Sequence, residues 1–264
     1  MSAAPSAFSV VLSHAELVYL LTLFDSAPVL GIDRDPFEGY GAEAMMVAHV
    51  TARDALRARD LLHLDAEARP LVNDDLLCVL ESYARPQQIV TAYRYAVGEE
   101  LPLVWFGYRS ADATVIHTRP DDLLHAFALA PDVSFLAKAL VDFCTGGAAS
   151  ARSGSSLSLP GGVMAAARAS ADAGQADQVV RVLRTAGLDE DVSAALAADL
   201  NNPAAVTAIT FAATDEDAQV RRRDAIYWQS TTPTARLIVY TEGGAVQVSN
   251  ASDADLRVIL NEMM

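Results

Sequence analysis

Apolar residues recur along this chain with two periods, and the switches between them outline its elements. From Ser13 to about Phe24 the period is helical, with Leu17, Val18, Leu20, Leu21 and Phe24 on one face. Ser13 and Glu16 form an S-x-x-E capping box at its start. A turn rich in Asp, Pro and Gly leads to a second amphipathic stretch, about Ala42 to Asp60. A third follows Asn73, a residue suited to an N-cap, and Pro86 closes it. From Gln88 the period becomes two: Ile89, Thr91, Tyr93 and Tyr95 alternate with their neighbours. Turns at Gly98-Glu99-Glu100 and Ser110-Ala111-Asp112 lead to strands at Leu103–Phe106 and Thr114–Thr118. Short links between consecutive strands predict an antiparallel meander. Pro120-Asp121-Asp122-Leu123-Leu124 has the Pro and acids of a helical first turn and predicts a helix there.

Residues 145–162 carry Gly-Gly, Ser-Gly-Ser-Ser and Pro-Gly-Gly with few large side chains, the composition of a flexible link. Beyond it the order repeats. Helical stretches at about Ala165–Ala186 and Glu190–Leu200 precede strands at Ala205–Phe211, Ala225–Gln229, Arg236–Tyr240 and Ala245–Ser249, and a helix follows from Asp253. The parallel extends to residues: Val72-Asn73-Asp74-Asp75-Leu76 mirrors Leu188-Asp189-Glu190-Asp191-Val192, each followed by a Pro at similar distance. The chain therefore reads as an N-terminal half (1–144), the link (145–162) and a C-terminal half (163–264) in quasi-twofold relation. The expected fold is α+β, with one central antiparallel sheet drawing strands from both halves and two flanking helical groups. One sheet face must lie under helices, and the other is free to meet water or a partner.

Composition narrows the function classes. Over 264 residues, 19 basic against 34 acidic side chains give a net charge of −15, a field that repels phosphate backbones and anionic lipid. Nucleic acid is therefore not the expected partner. The basic run Arg221-Arg222-Arg223 is flanked by Asp215, Glu216, Asp217 and Asp224 and reads as a solvated turn. The first residues lack the basic start of a secretory signal, and the Phe8–Phe24 run is interrupted by Ser13, His14 and Glu16, so neither export signal nor membrane insertion is expected. Cys78 and Cys144 stand far apart without ligand-spaced partners, which argues against a zinc site and for a reducing, cytoplasmic setting.

Recognisable chemistry is sparse. The five histidines (14, 49, 63, 117, 125) form no metal motif. Asp33-Arg34-Asp35 starts like a calcium loop but has Glu38 where the loop requires Gly. Ser153-Gly154-Ser155-Ser156 is no nucleophile elbow, and with Lys138 as the single lysine a phosphate-binding loop has little support. No cofactor or metal is expected, and the chain does not read as an enzyme. The enzymatic alternative is a site assembled from His117, His125, Asp121 and Asp122, with His117 and His125 able to approach. What stands out is an aromatic set in the strands: Tyr93, Tyr95, Trp105, Phe106 and Tyr108, then Phe211, Tyr227, Trp228 and Tyr240.

Several segments resemble the EspG-like chaperones of ESX (type VII) secretion systems in mycobacteria and related actinobacteria. They are the Leu12-Ser13-x-x-Glu16-Leu17 helix start with Pro28-Val29-Leu30, the Tyr83-Ala84-Arg85-Pro86 step, and Thr118-Arg119-Pro120-Asp121-Asp122-Leu123. Beyond the link they are Ser158-Leu159-Pro160, Val182–Leu188, and the hairpin and helix from Leu237 to Met263. The resemblance implies the same α+β plan and a cytosolic chaperone that binds the hydrophobic tip of the PPE protein in a PE–PPE heterodimer before export. It fixes no contact residues. Aromatic and aliphatic positions on an uncovered sheet face point to Trp105, Tyr108, Tyr227, Trp228, Leu237 and Val239 as partner-binding candidates. Strand alternation puts Tyr227 and Trp228 on opposite faces. Free of a client, the chain is expected to be a monomer or weak homodimer; a homodimeric structural subunit is the remaining alternative.

Overall fold

A computed structural model of the chain describes residues 8–24, 37–146, 156–214, 219–231, 234–241 and 243–250, with 252, 254, 257, 258 and 261. In chain order the elements are β1 (Ser9–Ser13), α1 (His14–Thr22), α2 (Ala42–Ala58), β2 (Leu62–Leu64), β3 (Pro70–Val72), α3 (Asp74–Ala84), β4 (Gln88–Ala96), β5 (Leu103–Arg109), β6 (Thr114–Asp121), β7 (Leu124–Ala130) and α4 (Val133–Thr145). Then come β8 (Ser156–Pro160), α5 (Gly161–Asp172), α6 (Ala176–Thr185), α7 (Glu190–Asn201), β9 (Pro203–Thr214), β10 (Val220–Ser230), β11 (Ala235–Tyr240) and β12 (Ala245–Asn250). The fold is α+β, built on a large antiparallel sheet of order β1-β7-β6-β5-β4-β9-β10-β11-β12-β8; β2 and β3 form a separate small hairpin. The chain divides into two compact units: Met1–Ile89 with Phe106–Leu136, and Val90–Trp105 with Ala137–Met264.

In the first unit, local sequence signals set the helix starts. The Ser13 hydroxyl accepts the Glu16 N–H at 3.2 Å, and the Glu16 carboxylate accepts the Ser13 N–H at 2.7 Å, so one residue ends β1 and caps α1. Asn73 caps α3 by accepting the Asp75 and Leu76 N–H groups, and Leu76, Val79, Leu80 and Tyr83 turn inward. Tyr83 packs edge-on to Phe127 of β7 at 5.5 Å, and Leu12 of β1 and Val115 of β6 are buried as well. Beyond α2, Arg59 donates to the Val11 carbonyl at 2.6 Å and pairs with Glu16 at 3.1 Å, which covers a carbonyl of the terminal strand.

The helix expected from Pro120 is instead a β-hairpin. β6 runs on to Asp121 with a register shift after Thr118, the kind of irregularity that admits a proline lacking its N–H. Asp121 Oδ1 accepts the Leu123 N–H at 2.7 Å and closes the turn, and His125 and Phe127 then alternate inward along β7. Pro followed by acids suits a helix start and an Asx turn equally; the period-two pattern after it decides. The helix comes later, where Asp132 Oδ1 accepts the Phe135 N–H at 2.8 Å at the start of α4.

In the second unit, α5, α6 and α7 cover one sheet face. Met164, Ala167, Val179, Leu183, Leu196 and Leu200 pack there against Leu159, Trp228, Ile238, Val246 and Val248. The single helix expected over Ala165–Ala186 breaks in two because Gly174, at φ +70°, takes the left-handed conformation that ends α5. Residues 156–160, read as part of a flexible link, form β8 against β12, with Leu157 opposite Val248 and Leu159 opposite Val246. Arg221, Arg222 and Arg223 lie within β10 opposite Ala213, Ala212 and Phe211, not in a turn, and Arg222 pairs with Asp224 at 3.0 Å.

The expectation of an open second face fails at β9, β10 and β11. Ala205, Ile209, Phe211, Ala225, Tyr227 and Leu237 alternate away from the α5–α7 side, yet they are buried too. Residues 137–145 of α4 lie near them: Gln229 donates to the Thr145 carbonyl at 3.4 Å, and Arg94 to the Cys144 carbonyl at 3.3 Å. Phe143 sits 6.3 Å from Trp105. Pro28–Leu30, Asp33–Asp35, Ser153–Ser155, Asp215–Asp217 and most of the expected helix from Asp253 lie outside the described residues.

Candidate functional site

Five of the six candidate contact residues are core. Trp105, Tyr108, Tyr227, Trp228 and Leu237 are at most 3% exposed, and Val239 is half-buried. Tyr227 and Trp228 do point to opposite faces, but both faces are covered there, so alternation exposes neither. Trp228 donates its Nε1–H to the Asp199 carbonyl at 2.9 Å and lies 4.3 Å beneath the Arg168 guanidinium. Arg236, paired with Trp228 across β10 and β11, donates to the Asp199 carboxylate at 2.7 Å, and the Thr234 hydroxyl donates to the same group at 2.7 Å. Trp228, Asp199, Thr234 and Arg236 thereby tie α7 to the sheet.

A strip of exposed apolar side chains in the second unit lies instead on the β4–β5 hairpin. Tyr93 and Tyr95 alternate outward on β4, and the strip continues through Val97 (70% exposed), Leu101 (72%) and Leu103 (57%) around Gly98, which turns at φ +94°. Val97 is held in place by donating to the Ala204 carbonyl at 3.0 Å. Large aliphatic residues at a hairpin tip are left without cover, where polar residues usually stand. Tyr93 and Tyr95 belonged to the aromatic set; Val97, Leu101 and Leu103 were missed, although their places beside Gly98-Glu99-Glu100 were the available signal. In the first unit Tyr40, Met46, Val47 and Val50 form a second exposed group at the start of α2.

His117 and His125 come together as anticipated, though His125 lies on β7 and not on a helix. His117 Nε2 is 2.9 Å from His125 Nδ1, and His125 Nε2 is 2.9 Å from His14 Nδ1. Tyr108 Oη ends the row 3.4 Å from His117 Nδ1. Burial, followed by the neighbouring charges of His125 and Arg119, pushes His117 well below the ordinary imidazole range. Asp121 is engaged by the Leu123 N–H, and exposed Asp122 faces Arg119 at 3.5 Å. Among the described residues no three His, Cys, Asp or Glu side chains converge to hold a metal ion. No described helix is long and apolar enough to cross a membrane.

The element order and large antiparallel sheet define an EspG-like α+β fold. No protein-family model and no curated protein sequence matches the chain. Among solved structures it is similar to the Mycobacterium tuberculosis type VII secretion system chaperone EspG5, solved in complex with a PE25-PPE41 dimer. That likeness has a TM-score of 0.73 and covers 97% of this chain and 95% of the other at 14% sequence identity. At this identity what the two share is the fold.

Proposed function

We propose that the chain is a cytoplasmic chaperone that binds the hydrophobic tip of a PPE protein in a PE–PPE heterodimer before type VII export. The observation that carries this reading is the end-to-end likeness to EspG5, a chaperone solved with such a dimer. The exposed hairpin strip Tyr93-Tyr95-Val97-Leu101-Leu103 supports it by offering aromatic and aliphatic anchors to an apolar client. Each large aliphatic side chain buried on binding contributes about 1.5–3 kcal/mol, against an association cost of about 4–15 kcal/mol. Three aliphatic anchors, Val97, Leu101 and Leu103, with the two tyrosines beside them, place the site near that balance, so removing one matters. The test is co-purification of the tagged chain with PE–PPE pairs from the same organism, followed by sizing of the complex. Leu101→Glu and Tyr95→Glu, both at exposed positions, should leave thermal stability unchanged and weaken client binding at least tenfold. A folded chain that captures no PE–PPE pair overturns the chaperone reading. Full binding by both variants overturns only the assignment of the hairpin.

A further inference from the structure

The row Tyr108–His117–His125–His14 runs through four elements of the first unit: β5, β6, β7 and the first residue of α1. All three imidazoles are buried, and the aromatic rings of Phe106, Phe127 and Tyr83 stand within 4.4–5.6 Å of the His117 ring. Nitrogen faces nitrogen at 2.9 Å in both imidazole contacts, and such a contact is a hydrogen bond only if one of the two carries the proton.

Counting protons gives a sharp limit. With every ring neutral, one N–H serves each of the two imidazole contacts. One added proton can sit on any of the three rings while both imidazole contacts keep a single bridging hydrogen. A second cannot. Two charged neighbours oppose N–H to N–H, and charges on His117 and His14 leave His125, which still carries one hydrogen, with one opposed contact. Charged and titratable groups stand on the elements around the row. Glu16 on α1 is held by the Ser13 N–H and by Arg59 beyond α2, and His49 of α2 packs on the Tyr19 and Phe37 rings. Tyr83 of α3 and Tyr108 of β5 carry phenols, Arg119 of β6 carries positive charge, and Asp121 and Asp122 lie at the β6–β7 turn, while β1 presents Val10 and Leu12.

We infer that this row is a single-proton device that couples the docking of α1 and the β5–β7 strands to pH: the folded unit takes up one proton along it and resists the second. The unfolded chain, whose three imidazoles titrate independently, takes up about three by pH 5.5. Acidification below neutrality therefore loosens the packing around the row.

The test follows imidazole nitrogen resonances of the full chain from pH 8 to 5, with exposed His63 as the internal reference. The pH dependence of the unfolding midpoint between 5.5 and 7 is measured alongside. The three rings should together gain no more than one proton while the native spectrum persists, and unfolding near pH 5.5 should take up about two. His117→Phe, which keeps an aromatic ring in the stack, should lower that unfolding uptake by about one proton. Two charged rings in the native spectrum, or an unchanged uptake in a folded His117→Phe protein, overturns the inference. If that variant does not fold, the ring titration of the unsubstituted chain decides alone.

Discussion

The Asp199–Arg236 pair offers the most demanding test of the second unit's packing. Its side chains are only 7% and 12% exposed, and the carboxylate accepts from Arg236 Nε and the Thr234 hydroxyl, each at 2.7 Å. Asp199→Ala leaves the guanidinium facing a cavity, and removing one partner of a buried pair costs about 3–5 kcal/mol. Screening by water discounts little of this at such low exposure. For a chain of this size, with a urea slope near 3 kcal/mol per M, the unfolding midpoint should fall by about 1–1.7 M. The assay is urea denaturation followed by tryptophan fluorescence. Trp228 is a useful reporter because its indole donates to the backbone carbonyl of Asp199, which the substitution leaves in place. The charge-free double variant Asp199→Leu, Arg236→Met should cost less than Asp199→Ala alone, because no buried charge is stranded. A midpoint shift under about 0.3 M for Asp199→Ala, or a double variant as damaging as the sum of its singles, would refute this account.

Other expectations are more local. Burial pushes the Cys144 thiol up to about 12, with the Thr207 hydroxyl and the Arg94 charge only partly opposing it. A thiol reagent at pH 8 should therefore leave Cys144 unlabelled until urea is added. Half-buried Cys78, raised first by burial and then by Glu81, Asp112 and Asp75, should react slowly. Ser13→Ala removes the acceptor for the Glu16 N–H and should cost about 1 kcal/mol, seen as a melting temperature lower by about 2–4 °C. Because His117 is held below its unfolded value, its contribution to stability is present above about pH 6.5 and is lost as pH falls below that. The loss should approach about 1.4 kcal/mol per pH unit for each proton the unfolded state binds in excess, read from melting curves between pH 5.5 and 7.

Much of this architecture is legible in the sequence because its causes are local. The Ser13–Glu16 box, the Asn73 cap and the period-two runs from Gln88 onward act over a few residues, and the elements begin where these signals fall. The repeated order beyond residue 160 likewise predicts α7, β11 and β12 nearly to their ends and the middles of β9 and β10. Where a local pattern serves two structures, the reading goes astray: Pro120-Asp121-Asp122 suits a helix start or an Asx turn, and pairing of β6 with β7 selects the turn. Strand β8 was hidden for a similar reason, since Ser156–Pro160 becomes a strand only through β12 beside it.

Which strand residues are exposed lay further out of reach. Alternation along β10 separates Tyr227 from Trp228 but carries no information about which faces distant helices will cover. Here both are buried, Trp228 within the α5–α7 cluster, and an exposed apolar strip lies on the β4–β5 hairpin. The histidine row depends on contacts just as distant, since residues 14, 117 and 125 meet only through the pairing of β1, β6 and β7. The sequence by itself determined the class of fold, several helix starts and the central strands of the sheet, because propensity, capping and periodicity act over one or two turns of chain. Only the tertiary structure decided what is buried, what is exposed and which titrating groups touch, because burial belongs to pairs of surfaces brought together from far apart in the chain.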